Sequence, residues 1–180
     1  MAIFEHLAAR IEAAGYERYE LSNYARPGFA AVHNRRYWQR LPVLGLGAGA
    51  FSSDPAGDET PFGVRRSNLR APDAYRARVE ADASAEAGPP EVLDAATARG
   101  EAMFLSLRTR RGVDASAFAA EFGSPPRGFF DAEIEGLVAQ ALVREGAGGD
   151  LRLTRRGRLL SDSVFAHFVE PRPGSIRPCD

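Results

Sequence analysis

Apolar residues recur along the first 14 positions with helical spacing. Ile3, Phe4, Leu7, Ala8 and Ile11 fall on one face, and Gly15 follows as a natural stop. The pattern predicts a helix over 2–14. The next ten residues, YERYELSNYA at 16–25, alternate Tyr and Leu against Glu and Arg, which predicts a strand. ARPG at 25–28 is a turn signal. A second apolar run, LPVLGLGAGAF at 41–51, predicts a buried strand over 43–47. A helix and two strands suit the tail of an α/β unit, but two strands make no self-sufficient sheet. Residues 1–53 therefore read as a piece of something larger. Residues 54–90 are rich in Pro, Gly, Ala, Asp and Ser and read as a linker or crossover. Within them the pattern predicts a short strand near Val64–Leu69 and a short helix at 72–80 opened by Pro72.

The second half is more regular. Val92, Leu93, Ala96, Met103 and Leu107 take helical positions over 91–109. Asp114 starts and Gly123 stops a short helix. A third helix over 127–142 buries Phe130, Ile134, Leu137, Val138 and Leu142. LVREGAGGDLRLT at 142–154 pairs two short strands across a glycine-rich turn. Thr154 caps a last helix over 155–169, with Leu159, Leu160, Val164 and Phe168 inward. Three helices followed by a β-hairpin form a winged-helix-like pattern over 91–170, and 171–180 reads as a flexible tail. The fold class is α+β.

Composition narrows the function. All 23 basic residues are arginine, a compositional habit that carries no functional information unless the arginines cluster. The formal net charge is −1, so there is no global attraction to nucleic acid or acidic lipid. Over 91–170, 10 arginines face 12 acidic residues. The third helix carries Asp131, Glu133 and Glu135 against Arg127, which would repel the phosphates of a major groove. The expectation is no nucleic-acid partner. No apolar run is long enough for a membrane span, and the acidic Glu5 and Glu12 in the first helix suit neither a secretory leader nor a transit peptide, so the expected location is cytoplasmic.

Two short stretches invite chemistry. Residues 33–38, HNRRYW, combine an imidazole with two aromatic faces and two arginines. They are expected on a loop at the edge of the α/β part. They fit a packed corner, a nucleic-acid patch, or a place where a flat ligand meets His33. Imidazole can ligate iron, Tyr37 and Trp38 can stack, and Arg26, Arg35, Arg36 and Arg40 can pair with carboxylates such as propionates. The packing alternative makes Tyr37 and Trp38 core anchors and Asn34 a turn cap. The second stretch holds Gly45, Gly47 and Gly49. It runs into Ser52, Ser53 and the Asp54–Pro55 pair, where no helix can open, so a dinucleotide fingerprint is excluded. A tight turn, or backbone left bare for a ligand, are the two readings that remain.

YELSNYARPG (19–28), HNRRYW (33–38), LGLGAGAFS (44–52) and RTRRGVD (108–114) occur in an order that resembles the C-terminal half of the oxygen-independent coproporphyrinogen III oxidase-like radical SAM proteins. Within them the chain is most similar to the HemW-type haem chaperones, whose HNxxYW signature is complete here. The resemblance implies late strands and a helix of a radical SAM partial (β/α) barrel, followed by the family's C-terminal domain. It implies haem contact at His33, Asn34, Tyr37 and Trp38, with His33 the candidate iron ligand. It also implies that Gly45, Gly47, Gly49, Ala50 and Phe51 face S-adenosylmethionine. The family often has Pro where Ala48 stands and His where Phe51 stands.

The same resemblance implies a 4Fe-4S cluster held by a Cys-x3-Cys-x2-Cys loop. The single cysteine here, Cys179, cannot hold one. The chain is thus expected to lack the N-terminal barrel half, as a truncation, a split protein or a fragment, and to generate no radical unaided. The implied function is the haem-binding part of a chaperone that passes haem to acceptor proteins. The alternative is the substrate-covering part of a coproporphyrinogen-oxidising enzyme.

Overall fold

A computed structural model of the chain describes residues 2–169. The expected tail at 171–180, Cys179 included, lies outside them. The first elements are α1 (Ala2–Ala13), β1 (Glu17–Arg18), β2 (Tyr24–Ala25), α2 (Val32–Trp38), β3 (Phe51–Asp54), β4 (Val64–Ser67) and α3 (Pro72–Glu80). After them come β5 (Glu91–Val92), α4 (Ala95–Arg108), α5 (Ala115–Phe122), α6 (Arg127–Ala139), β6 (Val143–Glu145), β7 (Leu151–Leu153), α7 (Arg155–Leu159) and α8 (Ser161–Ala166). The architecture mixes helix and strand. The described residues divide into two compact units, one running to Val32 and resuming at Arg99, the other comprising His33–Ala98.

The first unit holds a continuous apolar core. Met103 and Leu107 from α4, Phe118 from α5, and Ile134 and Leu137 from α6 meet Val143, Leu151 and Leu153 of the hairpin and Val164, Phe165 and Phe168 at the end. Each fully buried aliphatic side chain contributes about 1.5–3 kcal/mol. α5 begins and ends as its sequence predicts: the Asp114 carboxylate accepts from Ala117 N–H, and Gly123 takes φ 80°. The hairpin pairs Val143 with Leu153 and Glu145 with Leu151, antiparallel. Two expectations fail at the edges. Val138 and Leu160 are exposed, and the final helix breaks at Leu160 (φ −116°, ψ 28°) into α7 and α8. Helix α6 is kinked at Phe130 (φ −133°, ψ 36°).

The stretch 16–25 is two strands, not one. β1 and β2 pair antiparallel, Glu17 with Ala25 and Arg18 with Tyr24. The turn between them is local: Glu20 Oε1 accepts from Ser22 N–H at 3.0 Å, and Tyr19 N–H donates to Asn23 O at 3.2 Å. Side-chain capture of the backbone overrides the alternating pattern.

The second unit centres on a three-stranded antiparallel sheet, β3-β4-β5. Phe51 pairs with Ser67 and Asp54 with Val64, and Val64 and Arg65 pair onward with Val92 and Glu91. The expected strand at 43–47 is therefore corrected. Only Val43 bridges, to Ser53, and the strand proper starts at Phe51. Gly47 and Gly49 take φ 101° and 70°, which no extended strand allows. The 54–90 stretch, expected as a linker, contributes β4 and α3, and α3 runs from Pro72 to Glu80 as predicted. The helix expected over 91–109 starts later. Glu91 and Val92 are held in the sheet, and Asp94 Oδ1 then accepts from Thr97 N–H at 2.7 Å to open α4.

Candidate functional site

His33, Asn34, Tyr37 and Trp38 lie on α2, a helix of seven residues, and not on the expected loop. The local reasons are legible. At its exit, Leu41 N–H donates to Arg36 O at 3.0 Å and Arg40 N–H to Tyr37 O at 3.1 Å, with Arg40 in the left-handed region at φ 53°. This is a left-handed helix stop with Arg in the position usually taken by Gly. Pro42 then prevents continuation. The Arg36 guanidinium doubles the lock, donating from Nη2 and Nε to Pro42 O at 2.6 and 3.2 Å. Arg36 is thus committed to the turn rather than free for a ligand carboxylate.

Helical spacing sorts the four residues into two pairs. His33 and Tyr37 are exposed and meet edge to face, with ring centroids 4.9 Å apart and planes at 83°. Asn34 and Trp38 are half-buried. The structure therefore brings together an imidazole and a phenol on the open side and puts the amide and indole on the other. Among the described residues the His33 ring makes no hydrogen bond. Its nitrogens remain chemically available, and a face with one imidazole supplies one ligand to iron. Arg26 belongs to the other unit, where its guanidinium lies 5.5 Å from the Tyr16 ring centroid.

The glycine stretch is a folded loop laid along the edge of the sheet. Gly45 N–H donates to Ser52 Oγ at 3.0 Å, and Gly47 N–H to Tyr75 Oη at 3.3 Å. Asn68 Nδ2 donates to both Gly47 O, at 2.9 Å, and Gly45 O, at 3.3 Å. Gly49 N–H donates to Leu69 O and Asn68 N–H to Ala50 O, each at 2.9 Å. A Cβ at Gly45 would collide with the Phe51 backbone. Of the two readings left open by sequence, the tight turn is therefore present. Its side chains are nonetheless uncovered: Leu44, Leu46 and Phe51 are exposed by 74, 80 and 52%. Beneath the loop, Arg66 spans Asp54 at 2.7 Å and Glu86 at 3.3 Å. The Asp54 hydrogen bond and charge hold the Arg66 guanidinium above its ordinary range.

Asn68 and Tyr75, which organise the loop, carry no sequence signal, since they stand more than 20 positions away from the glycines they hold. α2 did have a signal, in the i, i+4 pairs His33–Tyr37 and Asn34–Trp38 ahead of Pro42. Two cavities open in the other unit. One of 220 Å³ is lined by Phe4, Glu5 and Ala8 of α1 with Tyr24, Arg155 and Leu159. The other, of 150 Å³, is ringed by arginines around Glu20.

The HemN C-terminal domain family model matches residues 93–160. The heme chaperone HemW of Bacillus subtilis is 30% identical over 171 residues, covering 93% of this chain and 42% of that protein. HemW of Mycobacterium tuberculosis H37Rv is 34% identical over 162 residues, covering 89% of this chain and 37% of the relative. The chain thus spans about two fifths of the length of these relatives. Among solved structures, the Escherichia coli coproporphyrinogen III oxidase HemN, described as a radical SAM enzyme, matches with a TM-score of 0.68 at 20% identity, over 92% of this chain and 40% of that one. That likeness speaks to the fold.

Proposed function

We propose that this HemW/HemN-like chain, similar to HemW over 93% of its length and to the HemN C-terminal domain over residues 93–160, is the haem-handling portion of a haem chaperone. The observation that carries the proposal is the exposed His33–Tyr37 pair on a helix fixed at its exit by Arg36 and Pro42. Haem, when bound, supplies an iron that accepts a nitrogen ligand. His33 offers that nitrogen, and Tyr37 orients the imidazole through its edge contact. Asn34 and Trp38 hold the helix from its half-buried side. The exposed Arg35 can pair with a propionate, a role that Arg36 cannot share while it holds Pro42. In the same unit, Leu44, Leu46 and Phe51 leave apolar surface uncovered, as a porphyrin face requires.

The folded loop of Gly45, Gly47, Gly49, Ala50 and Phe51 is the S-adenosylmethionine-facing edge of the parent family's barrel in this reading. α4–α6 with the β6–β7 hairpin correspond to its winged-helix-like C-terminal domain. In this reading the N-terminal barrel half that carries the family's 4Fe-4S cluster is what these residues work with, and cytoplasmic haem-accepting proteins are the recipients. No helix among the described residues is long and apolar enough to cross a membrane.

A second reading, the substrate-covering part of a coproporphyrinogen-oxidising enzyme, is favoured by the likeness to the HemN fold. Parallel titrations with haem and with iron-free coproporphyrin III separate the two. The chaperone reading expects tighter binding of haem, with the difference lost in His33→Ala. Equal or tighter binding of the iron-free ring to the wild-type chain would favour the oxidase-like reading.

A further inference from the structure

In the unit that carries α4 to α8, a cavity of 150 Å³ is lined by Arg18, Arg108, Arg110, Arg144, Arg152 and Arg158, with Glu20 the acidic residue among them. These six arginines come from β1, the end of α4 and the turn after it, both strands of the hairpin, and α7. Only the fold assembles them, which is why the near-neutral composition hid the cluster.

The arrangement is overcharged. Arg144 and Arg152 sit directly opposite each other across the β6–β7 ladder, a placement of like charges that destabilises a hairpin. Both are exposed, and among the described residues neither forms an ion pair. Arg110 reaches Glu17 only at 3.6 Å. Arg108 lies 5.7 Å from the Phe165 ring centroid. Burial, and after it the charges of Arg18 and Arg155, push the Arg158 guanidinium below its ordinary range. Glu20 is 2% exposed; its Oε1 is taken by Ser22 N–H, and its Oε2 accepts no hydrogen bond among the described residues. The lining brings one carboxylate, Glu20, to this cluster, and the Glu17 that meets Arg110 lies outside it.

We propose that this cavity is a binding site for a phosphate group, held by forked guanidinium contacts from Arg144 and Arg152 on the rim and by Arg18 and Arg158 deeper in. Guanidinium matches a tetrahedral oxyanion bidentately, and bringing a dianion between opposed arginines turns a repulsive pair into two charge-assisted bonds. The volume suits one phosphate group, free or carried at the end of a larger molecule. The site is independent of α2 and of its haem reading.

The test is calorimetric titration of the full chain, in phosphate-free buffer, with inorganic phosphate and with a nucleoside 5′-monophosphate. Saturable one-to-one binding of inorganic phosphate in the millimolar range or tighter is expected, weakened about ten-fold or more in the double variant Arg144→Gln/Arg152→Gln. That variant keeps the buried Val143, Leu151 and Leu153, so the hairpin should survive, and an unchanged thermal transition checks this. Arg76→Gln, on α3 of the other unit, should bind like wild type. Equal affinity for both probes points to the free anion, and much tighter nucleotide binding points to a phosphate carried on an organic group. Absence of saturation, or the same affinity in the double variant, overturns the proposal. So does tighter, steeply salt-dependent binding of duplex DNA that displaces no phosphate, which would make the cluster a nucleic-acid face.

Discussion

Replacing Asn68 by alanine should unlatch the glycine loop while leaving the sheet in place. The Asn68 amide donates to two carbonyls, Gly47 O at 2.9 Å and Gly45 O at 3.3 Å. A net value of about 0.5–1.5 kcal/mol applies to an ordinary bond, and the longer contact falls at the low end, so the pair contributes about 1–2 kcal/mol. Water can reach part of this region, which argues for the lower half of that range. Because the loop can open without the β3–β4 ladder opening, the loss should appear locally and not as global unfolding. About 1–2 kcal/mol corresponds to exchange roughly 5–30 times faster at amides held only in the closed loop. The amides to watch are Gly45 N–H, bonded to Ser52 Oγ at 3.0 Å, and Gly49 N–H, bonded to Leu69 O at 2.9 Å. Amides bonded between β3 and β4 serve as the internal reference. Tyr75→Phe removes one acceptor at 3.3 Å and should have a smaller effect at Gly47. Hydrogen exchange in Asn68→Ala that stays within about two-fold of wild type at Gly45 and Gly49 would refute the idea that Asn68 holds this loop.

Thr154 Oγ1 accepts from Gly157 N–H at 3.0 Å and donates to Ala141 O at 2.7 Å, so Thr154→Ala should cost about 1–2 kcal/mol in urea unfolding, and a loss near zero would show that α7 needs no cap. The hydrogen bond from Arg127 holds the Glu145 carboxyl below its ordinary range. A depressed carboxyl contributes stability that is present above the unfolded glutamate value of about 4.3 and is lost as pH falls through the lower folded value, so Glu145→Gln should flatten the acid limb of the stability curve there and leave its slope near neutrality unchanged. With Cys179 the only cysteine, anaerobic reconstitution with iron and sulfide should yield no four-iron chromophore that survives gel filtration, and a retained cluster band would contradict this.

Where neighbours in sequence decide a structure, the chain was readable. Pro72 opened α3, Asp114 and Gly123 bounded α5, Thr154 capped α7, and the apolar spacing from Met103 to Phe168 marked the core of the first unit. Errors arose where a distant or side-chain contact decides. Glu20 turns the chain between β1 and β2 by catching Ser22 N–H, so an alternating stretch became two strands. The apolar run at 43–47 had the composition of a buried strand, but Asn68 and Tyr75 fold it as a loop with Leu44 and Leu46 outward. HNRRYW reads as a loop because it is short and polar, but it forms a helix with His33 and Tyr37 on the open side, closed by the contact from Arg36 to Pro42 six residues on. The arginine cluster around Glu20 was invisible, because its members lie as far apart in sequence as Arg18 and Arg158.

The haem reading stands on the exposed imidazole of His33, and its most direct test is the Soret spectrum of haem titrated into the wild-type chain and into His33→Ala. Because the ring is exposed and buries little area, His33→Ala should leave the thermal transition within about 0.5 kcal/mol of wild type. With the fold intact, the account predicts a shifted Soret band and weaker haem binding in the variant. Identical band position and identical affinity in the two proteins would show that His33 is not the iron ligand and would return α2 to a purely structural role.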